Sequence, residues 1–379
     1  MKFILSSTEL LSHLQAISRV INSKNSLPIL DNFLFDLKGN TLTMTASDIE
    51  TTLITSMEVE NSEGDGKVAV ASKLLLDTLR EFSEQPLSFS INDSNLAMVI
   101  TSANGTYNFI GQNGDEYPRL PQLQDEARVL TLSVDQLSAG ISKTLFCTAD
   151  DELRPVMNGV FFDIEKESLT MVATDAHKLV RYKTNHSSIT LGDEEERVSF
   201  ILPKKPATML KNILPKESGE VEVRFDSKNA HFKLSNYTMI CRQVEGKYPN
   251  YNGVIPKQNS YKIIIDRLSI LNALKRVSVF SNQGSNLIKL DFNANQLNIS
   301  AQDIDFSISA EETINCQFEG DPIKIGFKSS FLVEILGNIN SAEVILEVSD
   351  PSRAGLILPL ENEENEEILM LLMPMLLND

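Results

Sequence analysis

The sequence predicts an α+β chain of three similar domains, each with two helices packed on β-sheets, and three observations carry that reading. A segment of alternating apolar and polar residues occurs three times at nearly constant spacing. Each copy is flanked by stretches of helical periodicity, and each then continues into further alternating stretches. A fixed period of this kind decides the fold before any single residue does. TLTMTASDIE places Leu42, Met44, Ala46 and Asp48; SLTMVATDAH places Leu169, Met171, Ala173 and Asp175; QLNISAQDID places Leu297, Ile299, Ala301 and Asp303. The acids that close these segments are 127 and 128 residues apart.

Six residues before each Leu stands another acid, Asp36, Asp163 or Asp291, followed by a polar turn-like stretch. Each copy therefore reads as a hairpin with its apolar side chains on one face. Upstream, Leu10, Leu14 and Ile17, then Leu137, Ile141 and Leu145, then Leu271, Leu274 and Val277 recur at helical spacing. A second helix is expected downstream of each hairpin, over 74–82, 203–214 and 329–339, with Pro203 and Pro206 suited to a first turn. LSFSINDSNLAMVIT, VEVRFDSKNAHFKLS and EVILEVSDPSRAGLILPL then read as further hairpins. Tyr117-Pro118 and Tyr248-Pro249 close two copies and Pro374 stands near the end of the third, so the domains are expected at 1–125, 126–254 and 255–379. A unit of this length is a whole domain rather than one layer of a solenoid.

Composition excludes several classes. The chain is 42% hydrophobic and 23% charged, neither disordered nor fibrous. With 34 basic against 52 acidic residues its net charge is −18, which argues against a protein coated in positive charge for nucleic acid. No apolar run has the length of a signal-peptide core or a membrane span, and the three cysteines are scattered, so a soluble cytoplasmic protein without disulfides is expected. No phosphate-binding glycine loop, dinucleotide fingerprint, zinc spacing or nucleophile elbow occurs, and no catalytic residue, metal or cofactor is expected. Asp175 and His177 could share a metal, but the equivalents of His177 in the other copies are Glu50 and Asp305, and acids repeated at this position more often cap a turn.

Charge is uneven along the chain. The helices expected at 203–213 and 266–280 carry net charges of +3 and +2, and the other four are neutral, so −23 is left for the remainder. Helices sharing one face would make that face positive on an acidic molecule, an arrangement that holds a polyanion loosely. The run ENEENEEI reads as a solvated loop. The terminal ILMLLMPMLLND reads as a buried last strand, as a soft surface that accepts several peptides, or as both.

SLPILDNFLF, RPVMNGVFF, VATDAHKLV, KYPNYNGVIP and the terminal MPMLL, together with the threefold repeat, resemble the bacterial β sliding clamps, the processivity subunits of DNA polymerase III, along the whole chain. The resemblance implies a non-enzymatic homodimer, two chains closing head to tail into a ring around double-stranded DNA without reading its sequence. It also implies replicative polymerase, clamp loader and repair proteins as partners, held through short peptides bearing a glutamine and apolar anchors. The matching peptide-site positions are Met157, Thr174, His177, Lys178, Leu179, Pro249, Val254, Phe331, Met373, Pro374, Met375, Leu376 and Leu377. Departures from the family pattern are Ala176, where a glycine is common, Lys178 and Gly253, where arginine is, and Leu376, where a basic residue is. Lys24 matches a basic DNA-facing position and Asp151 replaces a polar one, while Lys204, Lys205, Lys211, Lys275 and Arg276 are the charges expected to face DNA. Two rival readings are a β-rich enzyme without a recognisable motif and a peptide-binding scaffold that does not encircle DNA.

Overall fold

The computed structural model of the chain describes residues 1–124, 127–186, 188–190 and 195–377, so the boundary expected at 125/126 lies outside the described residues. One order of elements occurs three times: strand, helix, a strand hairpin with a third and a fourth strand, a second helix, then three more strands; the first two copies add a short strand between the third and fourth, Glu60–Glu63 and Ser188–Ile189, and the first ends on a further two-residue strand, Gln112–Asn113. The helices are α1 (Ser7–Ile17) and α2 (Ser72–Arg80), α3 (Val134–Thr144) and α4 (Lys204–Ile213), and α5 (Arg267–Val277) and α6 (Ser329–Gly337). All six lie where apolar periodicity places them, and they end short of some expected limits because a 3-10 turn follows α1, α3, α4 and α5.

The first helix of each copy is stopped at its N-terminus in the same way. Ser6 Oγ accepts from Glu9 N at 3.1 Å and Asp266 Oδ1 from Ser269 N at 2.7 Å. Ser133 Oγ accepts from Gln136 N while Gln136 Oε1 accepts from Ser133 N, at 3.1 and 3.0 Å, a reciprocal capping box. Each cap satisfies an N–H that no intrahelical carbonyl can reach. The buried stripes are Leu10, Leu14 and Ile17 on α1, Leu75, Leu76 and Leu79 on α2, Ile270, Leu274 and Val277 on α5, and Leu332, Ile335 and Leu336 on α6.

The chain divides into two compact units, 1–138 with 187–192 and 205–243, and 139–186 with 193–204 and 244–379. The middle copy is thus shared: 139–186 and 195–204 belong to the second unit, and its first strand, Arg128–Ser133, together with 205–243 belongs to the first. Strand pairing gives the reason. In the first unit Thr51–Glu58 pairs antiparallel with Tyr237–Arg242, Leu53 facing Met239, which makes a ten-stranded sheet from parts of two copies. In the second unit Lys178–Asn185 pairs with Glu366–Leu372, Val180 facing Met370, which makes an eight-stranded sheet in the same manner. The first unit also holds a five-stranded sheet ending at Thr106–Ile110, and the second a four-stranded sheet ending at Ile308–Asn315.

The three repeated acids cap hairpin turns. Asp48 Oδ1 accepts from Thr51 N at 2.7 Å, Asp175 Oδ1 from His177 N and Lys178 N at 2.9 Å each, and Asp303 Oδ1 from Asp305 N at 3.0 Å. One expectation changes. The acidic run is a loop only as far as Asn365, because Glu366 and Glu367 begin the last strand and pair with Lys143 and Arg181 there. The terminal segment divides: Ile368–Leu372 is the buried strand expected from sequence, in the middle of the eight-stranded sheet, and Met373–Leu377 leaves it. Cys147, Cys241 and Cys316 are buried free thiols.

His13 and His231 in the first unit both have pKa values lowered from the ordinary 6.5, chiefly by burial, which Glu9 and Glu217 oppose at His13 and Asp226 opposes at His231. Depressed histidines bind protons less readily folded than unfolded, so their contribution is complete above about 6.5 and is lost as pH falls below it. Urea midpoints of the wild type should fall between pH 7 and 5.5, and H13Q/H231Q should flatten that decline.

Candidate functional site

The residues singled out around the 174–179 turn all lie in the second unit, and the turn is built by its own side chains. Thr174 Oγ1 donates to Lys178 O at 2.8 Å and accepts from Ala176 N at 3.1 Å, while Asp175 takes the next two amides. This geometry puts Ala176 at φ +75°, a left-handed conformation that explains why a glycine suits the position and that costs an alanine roughly 1 kcal/mol. His177 is left exposed, its ring 6.0 Å from that of Phe331.

Lys178 is the centre of the site and its side chain is only 5% exposed. Its ammonium lies 3.1 Å from both Asp175 and Glu334 and 3.3 Å from Phe146 O, and it stands over the Phe331 ring at 4.9 Å. Burial works against the charged form, yet the acids around it hold its pKa above the ordinary lysine value. Its charge is therefore spent inside the protein, and the rim cation that an arginine would supply is absent from this turn. Lys328, not singled out from sequence, approaches the Phe331 ring at 4.6 Å.

The C-terminal tail closes the site. Met373 N donates to His177 O and Met375 N to Gly326 O, each at 2.8 Å, so the tail bridges the turn and the strand Ile323–Lys328. Met373 is 43% and Leu376 80% exposed, whereas Pro374, Met375 and Leu377 are half-buried. Leu376 and Leu377 border a separate cavity of about 710 Å³ with Tyr261 and Lys324. Thr174 and Leu179 are buried, so they shape the turn and the floor rather than offer surface. Met157 and Pro249 are half-buried and Val254 is 58% exposed.

Two supports were not legible as such in the sequence. Tyr248 stacks on Phe161 with centroids 4.5 Å apart and so fixes Pro249. Tyr251 donates to Asp163 at 2.6 Å beside the Arg197–Asp163 ion pair, which anchors the turn leading to Val254. Burial and Asp163 push the Tyr251 phenol up to about 12. Asp163 had drawn attention as a repeated acid, but only tertiary structure gives it these partners.

The six basic residues fall into two groups. Lys24, Lys211 and Lys275 are exposed and form no ion pair among the described residues. Lys204 pairs with Asp150 at 2.5 Å, Arg276 pairs with Glu312, and Lys205 is held by Asp48, Asn22 Oδ1 and Val20 O. Asp151 is engaged by its own loop, accepting from Leu153 N and from Arg154. Among the described residues no helix is long and apolar enough to cross a membrane.

Gly326 is where the tail can be tested. A Cβ there would stand 2.7 Å from Met375 O and 2.9 Å from Leu377 Cδ2, closer than real contacts allow. G326V should expel the tail, so hydrogen exchange should show Met375 N losing protection while the Lys178–Asn185 amides keep theirs.

Comparison with known proteins gives the family. The DNA polymerase III beta subunit family matches in three parts, its N-terminal domain at residues 1–121, its central domain at 131–250 and its C-terminal domain at 252–376. The beta sliding clamp of Vibrio cholerae is 26% identical over 374 residues, covering 99% of each chain. That of Staphylococcus aureus is 27% identical over 379 residues, covering 98% of each. Among solved structures, the sliding clamp of Bartonella birtlesii bound to griselimycin is 28% identical with a TM-score of 0.91 over the whole of both chains. A fold shared along its entire length, with all three family domains in order, places this chain in the DNA polymerase III β subunit family: it is a β sliding clamp, a processivity factor of replication and not an enzyme.

Proposed function

We propose that the chain works as a head-to-tail homodimer that closes around double-stranded DNA and slides on it in the bacterial cytoplasm. In this reading the chain comprises three domains, 1–125, 126–254 and 255–379, close to the spans over which the three family domains match. The peptide site around Thr174–Leu179 and Met373–Leu377 tethers replicative polymerase, clamp loader and repair proteins in competition. A peptide scaffold that never encircles DNA, and a β-rich enzyme, have no observation in their favour.

One observation carries the dimer. Both joints within the chain pair the third strand after the first helix of one copy with the third strand after the second helix of the next, and two such strands remain without a mate: Ile308–Asn315 and Thr106–Ile110. Both are sheet edges with exposed apolar residues nearby, Phe306 at 73% and Val279 at 73% beside the first, Ile110 at 84% on the second. Edges of this kind are liabilities unless covered. A second copy covers both, and a heterologous contact made twice closes on itself.

The internal joints also supply the register. Leu53 and Val180, which face Met239 and Met370 across the joints, face Ala46 and Ala173 within their hairpins; Ala310 faces Ala301 in the same way. Met239 and Met370 face Phe232 and Ile357, as Tyr107 faces Ile100. Ala310 therefore stands opposite the partner's Tyr107. A310C/Y107C should form disulfide-linked dimers on oxidation, because facing residues of paired strands have the Cα separation a disulfide needs. A310C/G105C should not, and a monomer in sedimentation at micromolar concentration overturns the ring.

Duplex DNA is held by diffuse charge, with Lys24, Lys211 and Lys275 contributing more than Lys204, Lys205 and Arg276, whose charges are shared with acids. Retention on nicked circular DNA should be lost on linearisation. Each phosphate contact removed by neutralising a lysine should lower the salt slope by about 0.9, alike on every sequence.

The tail supports the peptide site because methionine and leucine side chains repack around different anchors. Removing residues 373–379 should weaken a peptide with a glutamine and two apolar anchors by roughly thirtyfold or more in fluorescence polarisation, with the dimer intact.

A further inference from the structure

A cavity of about 800 Å³ lies in the first unit over the face of the ten-stranded sheet that carries Leu34 and Asp36, opposite the buried Phe33 and Phe35. Leu34, Thr45 and Ile54 form its floor and Tyr117, Pro118 and Leu120 one wall. Its other wall is close-built: a Cβ on Gly114 would stand 2.7 Å from Lys67 Cβ and 3.0 Å from Leu34 Cδ1. Asp36 sits within it with its side chain 20% exposed, and its two lysine neighbours, Lys38 and Lys67, stay at 3.6 Å.

The middle copy contains the same place, filled. Register equates Leu34 with Phe161 and Asp36 with Asp163, since Leu34 and Asp36 face Thr45 and Thr43 as Phe161 and Asp163 face Val172 and Thr170. Three residues after each Tyr-Pro tyrosine stand Leu120 and Tyr251. Tyr251 lays its ring edge-on against Phe161 at 6.2 Å and donates its hydroxyl to Asp163 at 2.6 Å, leaving Asp163 only 3% exposed. In the third copy Lys289 takes the place of Leu34 beside Asp291, so no apolar floor exists there. Only the first copy combines an apolar floor, a carboxylate acceptor and the space of a missing phenol.

We propose that this groove is a second docking site, distinct from the tail pocket, that takes a tyrosine side chain presented by an acidic peptide segment of a partner protein. The tyrosine ring packs on Leu34 and Ile54 and its hydroxyl donates to Asp36, as Tyr251 does to Asp163. Lys67 and Arg119 line the groove and Lys38 reaches Asp36 from beside it, three cations to the two lining acids Asp36 and Asp115, so acidic residues on either side of the tyrosine are favoured.

The test uses the full-length protein, methyl-labelled at leucine and isoleucine, with acetyl-Glu-Tyr-Glu-amide as probe and its phenylalanine analogue as control. The tyrosine peptide should shift the Leu34 and Ile54 methyl signals and bind about tenfold more tightly than the control, the scale of one hydrogen bond to a charged acceptor. D36N, which keeps an amide oxygen as acceptor but loses the charge, should cut that difference to about threefold, and L120Y, which fills the groove from within, should abolish binding of both peptides while the tail pocket keeps its affinity for glutamine-bearing peptides. Equal affinity for the two peptides, unaltered binding by L120Y, or shifts at Leu34 and Ile54 that depend on protein concentration and not on peptide would each overturn the proposal. If L120Y fails to fold, the D36N comparison decides alone.

Discussion

Lys178–Asn185 pairs along its length with Glu366–Leu372, and Thr51–Glu58 pairs with Tyr237–Arg242 in the same sense. These two antiparallel joints couple half of one copy to half of the next. The rest of the structure follows from them, because a half-copy alone has too few strands to cover its own sheet face and helix stripe. The compact units of the chain consequently cross the sequence repeat instead of coinciding with it. The same rule leaves one half-copy at each end of the series with a bare edge, and a bare, apolar edge is a physical reason for a second chain.

The proposed peptide site grows out of the second joint. Where the paired strands end, the turn after Thr174 and the tail after Leu372 must both leave the sheet, and their backbone groups need partners. Met373 N takes His177 O and Met375 N takes Gly326 O, so two backbone hydrogen bonds hold the tail, with Pro374, Met375 and Leu377 half-buried beside them. A segment fixed so lightly and made of methionine, proline and leucine keeps its side chains adaptable. Lys178 beneath it is firmly held by Asp175 and Glu334, which makes the floor stiff where the lid is soft.

The basic side chains teach a related lesson about reading charge. Net charge counted along a helix treats each lysine as equal, but a cation that already has a carboxylate beside it contributes much less field to solvent. Lys205 and Arg276 are of this kind, while Lys24, Lys211 and Lys275 stand in solvent without such a partner among the described residues.

The sequence by itself determined the threefold repeat, the six helices, the hairpins and the turn-capping role of Asp48, Asp175 and Asp303, because period, caps and turn chemistry are local properties written within a few residues of one another. It also marked the residues of the turn and tail, through the motifs shared with the clamp family. Tertiary structure alone decided which half-copy pairs with which, since strand partners far apart in the chain leave no local trace. It decided too that Glu366 and Glu367 belong to a strand, where Lys143, Arg181 and Tyr182 receive them. And it separated Asp163, sealed by Tyr251 and Arg197, from Asp36, which pairs with two lysines at 3.6 Å and has no phenol over it. The two acids occupy the same place in the repeat, and what distinguishes them is the side chain that folds over each, a contact no local pattern contains.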